Sequence, residues 1–419
     1  MTTTSSDGTT NHKQQHHHQY YRFAHHGIRE MAKSLAVERE GEYTLHVSMG
    51  QALWEFSKEL GGDIGKRLLL LAADHWNAGI PALTTGRERF QLAQLNLRAA
   101  EYSYSRMALH PAKTFIDQGM SLVQRIGGWN KCYLLMLRLT TFAMQVLYSS
   151  GRLDECLAMA NQIIAKASKS STIFPAYKYK MYCLFHLGKG DTAIALASHL
   201  LLELGFPFPR NKALGKVMIA RNVTQLKARS ASVTQDLVRS LPVIENMKIK
   251  DALSITWTIL EMSITSGNLH AQMCASIQLI NLTLKHGYSG YSATAFVTYA
   301  MILASEEQYD CAERISRIAL QMPEDASDGP GRALVLNGVC FFCSHWRHSL
   351  TKTLEMSIKA KTMVLETGNV SMLFFTCITY TISYLQSGLA LEPLSRDLLK
   401  LHEMLLDLNF HHYVALFEV

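Results

Sequence analysis

The sequence predicts an all-α protein assembled from stacked helical hairpins, and three observations carry that prediction. Apolar residues recur at helical spacing from Tyr20 onward, and no run alternates polar and apolar residues for long enough to make a strand. Short polar or glycine-bearing turns punctuate the helices at a period of about 40 residues.

The chain has 419 residues, more than the roughly 250 to 300 at which a single core stops growing, so it must form several domains or an elongated stack. With 48% hydrophobic and 18% charged residues and nine prolines, it has enough apolar surface to fold. The formal net charge of +7 is modest for this length, and nucleic acid is not an expected partner. Eight cysteines, Cys132, Cys156, Cys183, Cys274, Cys311, Cys340, Cys343 and Cys377, are scattered among mostly apolar neighbours, as reduced core thiols are. A cytoplasmic location is the expectation. Residues 1–19 are polar, rich in Thr, Ser, Gln and His, and read as a disordered tail without a secretory signal. The longest apolar stretches, Leu68 to Ala73 and Gly338 to Cys343, are far too short to span a bilayer.

The helices justify themselves one by one. Leu153, Cys156, Leu157, Ala160, Ile163, Ile164 and Ala167 trace one helical face, from which Asp154, Asn161 and Lys166 fall away. Cys311, Ala312, Ile315, Ile318, Ala319 and Met322 repeat the arrangement, with Asp310, Glu313, Arg314 and Arg317 on the other side and Glu313 placed to pair with Arg317. Turns precede such helices at Ser149-Ser150-Gly151, Leu187-Gly188-Lys189, Ser266-Gly267-Asn268 and Ser305-Glu306-Glu307, and in the first three glycine allows a tight connection.

Second helices of the hairpins therefore start near Pro111, Arg152, Lys189, Asn268, Glu307 and His348, with a double interval between Lys189 and Asn268. Small residues such as Ala193, Ala197, Ala312 and Ala319 suit close helix approach. The period lies between tetratricopeptide and HEAT lengths and predicts a tetratricopeptide-like αα-hairpin repeat superhelix, a solenoid whose curved inner surface receives a partner.

The double interval contains Phe206-Pro207-Phe208-Pro209, which ends a helix, followed by Arg210, Lys212, Lys216, Arg221, Lys227, Arg229, Arg239, Lys248 and Lys250 against Asp236 and Glu245. It reads as a loose basic connector that interrupts the stack, and it lacks interleaved aromatics for base stacking. The organisation is then 1–19 polar tail, 20–85 helical lead-in, 86–205 first repeats, 206–250 basic connector and 251–419 second repeats.

No catalytic, cofactor-binding or metal-ligating residue is nominated. A phosphate-binding loop needs Gly-Lys-Ser or Gly-Lys-Thr at its end. Gly65-Lys66 is followed by Arg67 and has Leu60 at the first glycine position, and Gly188-Lys189 is followed by Gly190. Cys340, Cys343 and His345 offer three soft ligands in six residues, but they read as part of a buried helix without the fourth ligand and turn that zinc requires. His16, His17, His18, His25 and His26 read as polar-tail residues. Trp76 and Trp346 lie in helical, apolar surroundings and read as packing residues.

Several strings together resemble the helical region that follows the AAA-type, origin-recognition-like ATPase module of multidomain signalling serine/threonine and histidine kinases. They are Tyr21-Arg22-Phe23-Ala24-His25, Leu71 to Gly79, Arg89 to Ala100, Leu204 to Pro209, and His345-Trp346-Arg347. The resemblance implies that Phe23 and His25 belong to the last helix of a winged-helix element, with a tetratricopeptide-like superhelix after it. It carries over no active-site residue, since the P-loop, the rest of the ATPase and both kinase segments are absent from this chain.

The expected function is a non-catalytic scaffold or regulatory region acting by protein–protein interaction, its partner an ATPase or kinase domain in cis or in trans. The alternative is a fragment of a longer AAA ATPase-containing histidine or serine/threonine kinase, which an apparent helix ending at Phe417-Glu418-Val419 suggests. A weaker alternative is a phosphate or nucleic-acid binder acting through the basic connector.

Overall fold

The computed structural model describes residues 26–166, 170–209, 212–322, 331–367 and 370–407, which form two compact units, Met1–Thr84 and Thr85–Val419. The expected polar tail, His25 and the chain end at Phe417 to Val419 lie outside the described residues, as do Arg210 and Ala167. Described residues are almost entirely helical, with one isolated parallel bridge between Val243 and Tyr288. Among them no helix is long and apolar enough to cross a membrane.

The first unit contains α1 (His26–Glu40), α2 (Glu42–Leu60), α3 (Gly62–Ala78) and a 3-10 turn at Ile80–Ala82. Helices α2 and α3 form a tight hairpin because glycine sits at the contacts. A Cβ on Gly50 would lie 2.8 Å from the backbone nitrogen of Trp76, and one on Gly79 would lie 2.8 Å from the carbonyl of Tyr43. Trp76 is buried and tilts against Trp54 at 5.5 Å, while Nδ1 of His46 meets Nδ1 of His75 at 2.9 Å. Gly65-Lys66 thus belongs to an ordinary helix, with Gly65 against the Ser57 carbonyl.

The second unit opens with a capping box. Thr85 accepts from the Glu88 N–H, and the Glu88 carboxylate accepts from the Thr85 N–H at 3.1 Å. From there run α4 (Gly86–Ser105), α5 (Leu109–Arg125), the short α6 (Gly128–Lys131), α7 (Tyr133–Ser149), α8 (Leu153–Lys166), α9 (Ser170–His186) and α10 (Gly190–Leu204). Next come α11 (Lys212–Arg229) and the short α12 (Gln235–Arg239). The chain continues through α13 (Met247–Thr265), α14 (Leu269–His286), α15 (Ser292–Ser305), α16 (Tyr309–Gln321), α17 (Gly331–Phe342), α18 (Leu350–Thr367), α19 (Val370–Gln386) and α20 (Leu391–Asp407).

These are hairpins stacked in chain order: α4 on α5, α7 on α8, α9 on α10, α13 on α14, α15 on α16, α17 on α18, and α19 on α20, with each pair also packed on the next. Second helices start at Leu109, Leu153, Gly190, Leu269, Tyr309 and Leu350, within two residues of the positions read from the turns. Five connections share one backbone geometry. Met107, Gly151, Gly188, Gly267 and Glu307 are left-handed, with φ of 59°, 67°, 76°, 67° and 61°, each two residues before its helix. The next N–H returns to the carbonyl five residues back, Arg152 to Leu147 at 2.9 Å and Gln308 to Leu303 at 2.9 Å among them. This left-handed helix stop satisfies carbonyls that would otherwise be orphaned and reverses the chain.

The expected faces bury as drawn: Cys156, Ala160 and Ile163 on α8, and Ala312, Ile315, Ile318 and Ala319 on α16, while Arg317 donates to Glu313 at 2.7 Å. Ala193 and Ala197 are fully buried.

The stretch between Phe206 and Lys250 departs from the expectation. The stack is not interrupted there, because α9 and α10 both pack directly on α13. The double interval holds an insertion rather than a missing pair, and that insertion is docked rather than loose. Gly215 lets α11 approach His270 and Cys274 of α14, and Val223 and Leu226 join the main apolar core. Polar contacts seal the seam. Tyr299 donates to the Leu226 carbonyl at 2.6 Å, Asn281 to Asn222 at 2.8 Å, and the Ile244 N–H to the Tyr288 carbonyl at 2.8 Å. Arg314 donates to the carbonyls of Ser230 and Val233. Arg314 sits on the polar side of α16 in the sequence pattern, and distant carbonyls give it a partly buried structural role.

Candidate interaction surface

Consecutive hairpins are joined through the ends of their first helices by tyrosines. Tyr104 on α4 shares a hydrogen bond of 2.8 Å with Ser149 on α7, and Tyr148 on α7 one of 2.8 Å with Nε2 of His186 on α9. Tyr182 on α9 donates to Oε2 of Glu261 on α13 at 2.5 Å. Aromatic contacts run along the same line, with Tyr148 against Tyr179, Tyr182 and His186 at 5.5 to 5.7 Å. Tyr104 and Tyr148 stand five residues before their second helices, so the repeat places them at equivalent heights. Burial, then the adjacent Glu261 carboxylate, holds the Tyr182 phenol well above its ordinary range, so it stays protonated and donates.

A cleft of about 420 Å³ opens between α5, α7 and α8. Ile116, Ala143, Val146, Leu147 and Met159 supply an apolar lining, and Lys113, Asp117, Glu155 and Gln162 supply polar groups. Lys113 pairs with Asp117 at 2.6 Å, and Arg152 pairs with Glu155. The size and mixed lining suit an inserted apolar side chain flanked by charges.

The soft-ligand string does not converge on a metal site. Helix α17 ends at Phe342, so Cys343 and His345 lie at a 3-10 turn at Ser344–Trp346 rather than in the helix expected from the sequence. Cys340 and Cys343 are buried, and burial pushes each thiol up to about 12, which keeps it protonated near neutral pH. No group of three or more His, Cys, Asp or Glu side chains that could hold a metal occurs among the described residues. Of the polar-tail histidines, His26 alone is described; it begins α1 and faces Glu30 at 3.8 Å. Gly188-Lys189 is one of the left-handed turns. Trp76 is a core residue as expected, but Trp346 is 50% exposed and stacks on Tyr309 at 4.7 Å, because the helix stops before it.

Sequence reasoning missed the tyrosine line, the cleft and the docked insertion. The spacing of Tyr104 and Tyr148 before their turns was the available signal for the first. The basic residues of the insertion are mostly outward: Lys212, Lys216, Arg221, Arg229, Arg239 and Lys248 are exposed, whereas Lys227 pairs with Glu306 at 2.8 Å. No protein-family model matches the sequence, and neither does any curated protein.

Proposed function

We propose that this chain is a tetratricopeptide-like, non-catalytic repeat scaffold that binds a protein partner, with an ATPase or kinase domain of a signalling system as the partner held in cis or in trans. The observation that carries the reading is the recurrence of one hairpin geometry along the second unit, with a cleft opening between neighbouring hairpins. Repeat stacks of this kind present extended surfaces assembled from equivalent positions of successive pairs, which suits recognition of another protein. Partner binding would act by shifting a population between restrained and active arrangements of the domain it holds. The link to an ATPase or kinase rests on the resemblance of strings such as Leu71 to Gly79 and Leu204 to Pro209, and it extends to the chain being the regulatory portion of a longer enzyme.

The test is affinity capture with the full chain and with Ala158→Arg, which places a long cation at the exposed edge of the α5–α7–α8 cleft. Recovery of an ATPase or kinase, identified by mass spectrometry and lost with the variant, supports the reading. Capture that recovers neither, in cis or in trans, counts against it.

A further inference from the structure

We propose that the outer face of α11 is a docking surface for an anionic lipid bilayer. The inference is independent of the repeat's protein partner and starts from the composition of one helix. Lys212–Arg229 carries Lys212, Lys216, Arg221, Lys227 and Arg229 and not a single Asp or Glu. One side of this helix is spoken for, since Gly215, Val223 and Leu226 face α14 and the core. The opposite side presents Leu214 and Val217, three residues apart and therefore adjacent on the helix surface, with 66% and 68% of their surface exposed.

Two large apolar side chains standing that far out of a folded surface, with Arg221 one turn beyond Val217 on the same face, have the chemistry of a membrane-surface contact. The apolar pair enters the headgroup and acyl boundary while the basic side chains stay among anionic headgroups. Arg221 is exposed on the face of the pair, and Lys212 and Lys216 are exposed on the adjoining side of the helix, within reach of the same headgroup layer. Lys227 pairs with Glu306, which leaves Lys212, Lys216 and Arg221 along the first two-thirds of the helix and Arg229 at its end. Leu214 and Val217 protrude, and a fluid bilayer receives protruding side chains, whereas an acidic protein helix would need a groove or partner surface shaped to them. Duplex nucleic acid would use the cations and leave the leucine and valine idle. The docked geometry described above gives the helix a fixed presentation, because α11 is held to α14 and α15 by Asn222, Leu226 and the Arg314 contacts just beyond it.

The experiment is sedimentation of the full chain with phosphatidylcholine vesicles containing about 30% phosphatidylserine, with pure phosphatidylcholine vesicles as reference, at about 0.1 M and about 0.5 M salt. Two surface variants are compared, Leu214→Ser/Val217→Ser and Lys216→Glu/Arg221→Glu, each checked by its circular dichroism and melting. The expected result is binding to the anionic vesicles only, weakened at high salt, and lowered at least tenfold by either variant. Failure of the natural chain to sediment with anionic vesicles at low salt overturns the proposal. So does binding that both folded variants retain. A parallel titration with duplex DNA separates the sources: tighter binding to DNA that only the charge variant abolishes assigns the face to a polyphosphate backbone and overturns the lipid assignment.

Discussion

Tyr182 donates its hydroxyl to Oε2 of Glu261 across 2.5 Å, tying the C-terminal part of α9 to that of α13. The bond holds two hairpins in register across 79 residues of sequence. Burial and the neighbouring carboxylate both favour the protonated phenol, so the donor keeps its proton at neutral pH. Tyr182→Phe removes a charge-assisted bond from a buried side chain and is expected to destabilise the second unit by about 2 kcal/mol, read from urea unfolding.

The left-handed turn is expected to be improvable at two places. Met107 and Glu307 occupy the conformation that glycine fills at Gly151, Gly188 and Gly267. Glu307→Gly should relieve backbone strain and stabilise by roughly 0.5 to 1 kcal/mol, the gain being reduced by the greater freedom of glycine in the unfolded chain. At Gly267 a Cβ meets nothing within 4 Å, so Gly267→Ala should cost about 1 kcal/mol from conformation alone. Melting temperatures of the two variants should move in opposite directions.

Removing Arg314 should release the insertion without unfolding the stack. Arg314→Ala leaves the carbonyls of Ser230 and Val233 without their charged donor, at an expected cost of about 2 kcal/mol. The change should appear as faster amide exchange and new proteolytic cleavage between Lys212 and Ser240, with the α13–α16 helices still protected. Equal loss of protection in both regions would show that the insertion and the stack unfold as one.

Two groups, one in each unit, should contribute to the pH dependence of stability with opposite sign. His75 is held below the ordinary imidazole value of about 6.5 by burial first and by His46 second, against the opposing pull of Asp74. Its folded form resists a proton, so its stabilising contribution is complete above about pH 6.5 and is lost as pH falls through the lowered value. In the second unit burial raises Asp251 to about 6. Its contribution is complete below about pH 4 and is lost as pH rises from there through 6. Melting followed from pH 4 to 8 should show Asp251→Asn lessening the loss of second-unit stability as pH rises from 4 to 6, and His75→Asn lessening the loss of first-unit stability as pH falls below 6.5.

Close approach of α2 and α3 should make Gly50 intolerant. Its Cβ would stand 2.6 Å from that of Trp76 and 2.9 Å from the Trp76 Cα, contacts that only backbone movement relieves. Gly50→Ala is expected to cost at least 2 kcal/mol of first-unit stability, visible as a shift of Trp54 and Trp76 fluorescence to lower temperature on melting.

The sequence by itself determined the all-helical class, the hairpin period and the buried faces of helices such as α8 and α16. These are local properties: a period of 3.6 residues sets which side chains share a face, and a glycine or an exposed polar turn sets where the chain can reverse. Second-helix positions were legible for that reason. Only the tertiary structure decided the rest. The continuity of the stack past Phe206 depends on α9 and α10 meeting α13, and the fate of the basic insertion depends on Arg314 reaching carbonyls some 80 residues upstream. Trp346 stays half exposed because α17 ends four residues before it, and the cleft exists only where α5, α7 and α8 converge. Each of these is a contact between residues far apart in the chain, whose free energy is settled by packing and by the partner a polar group finds once the helices have assembled.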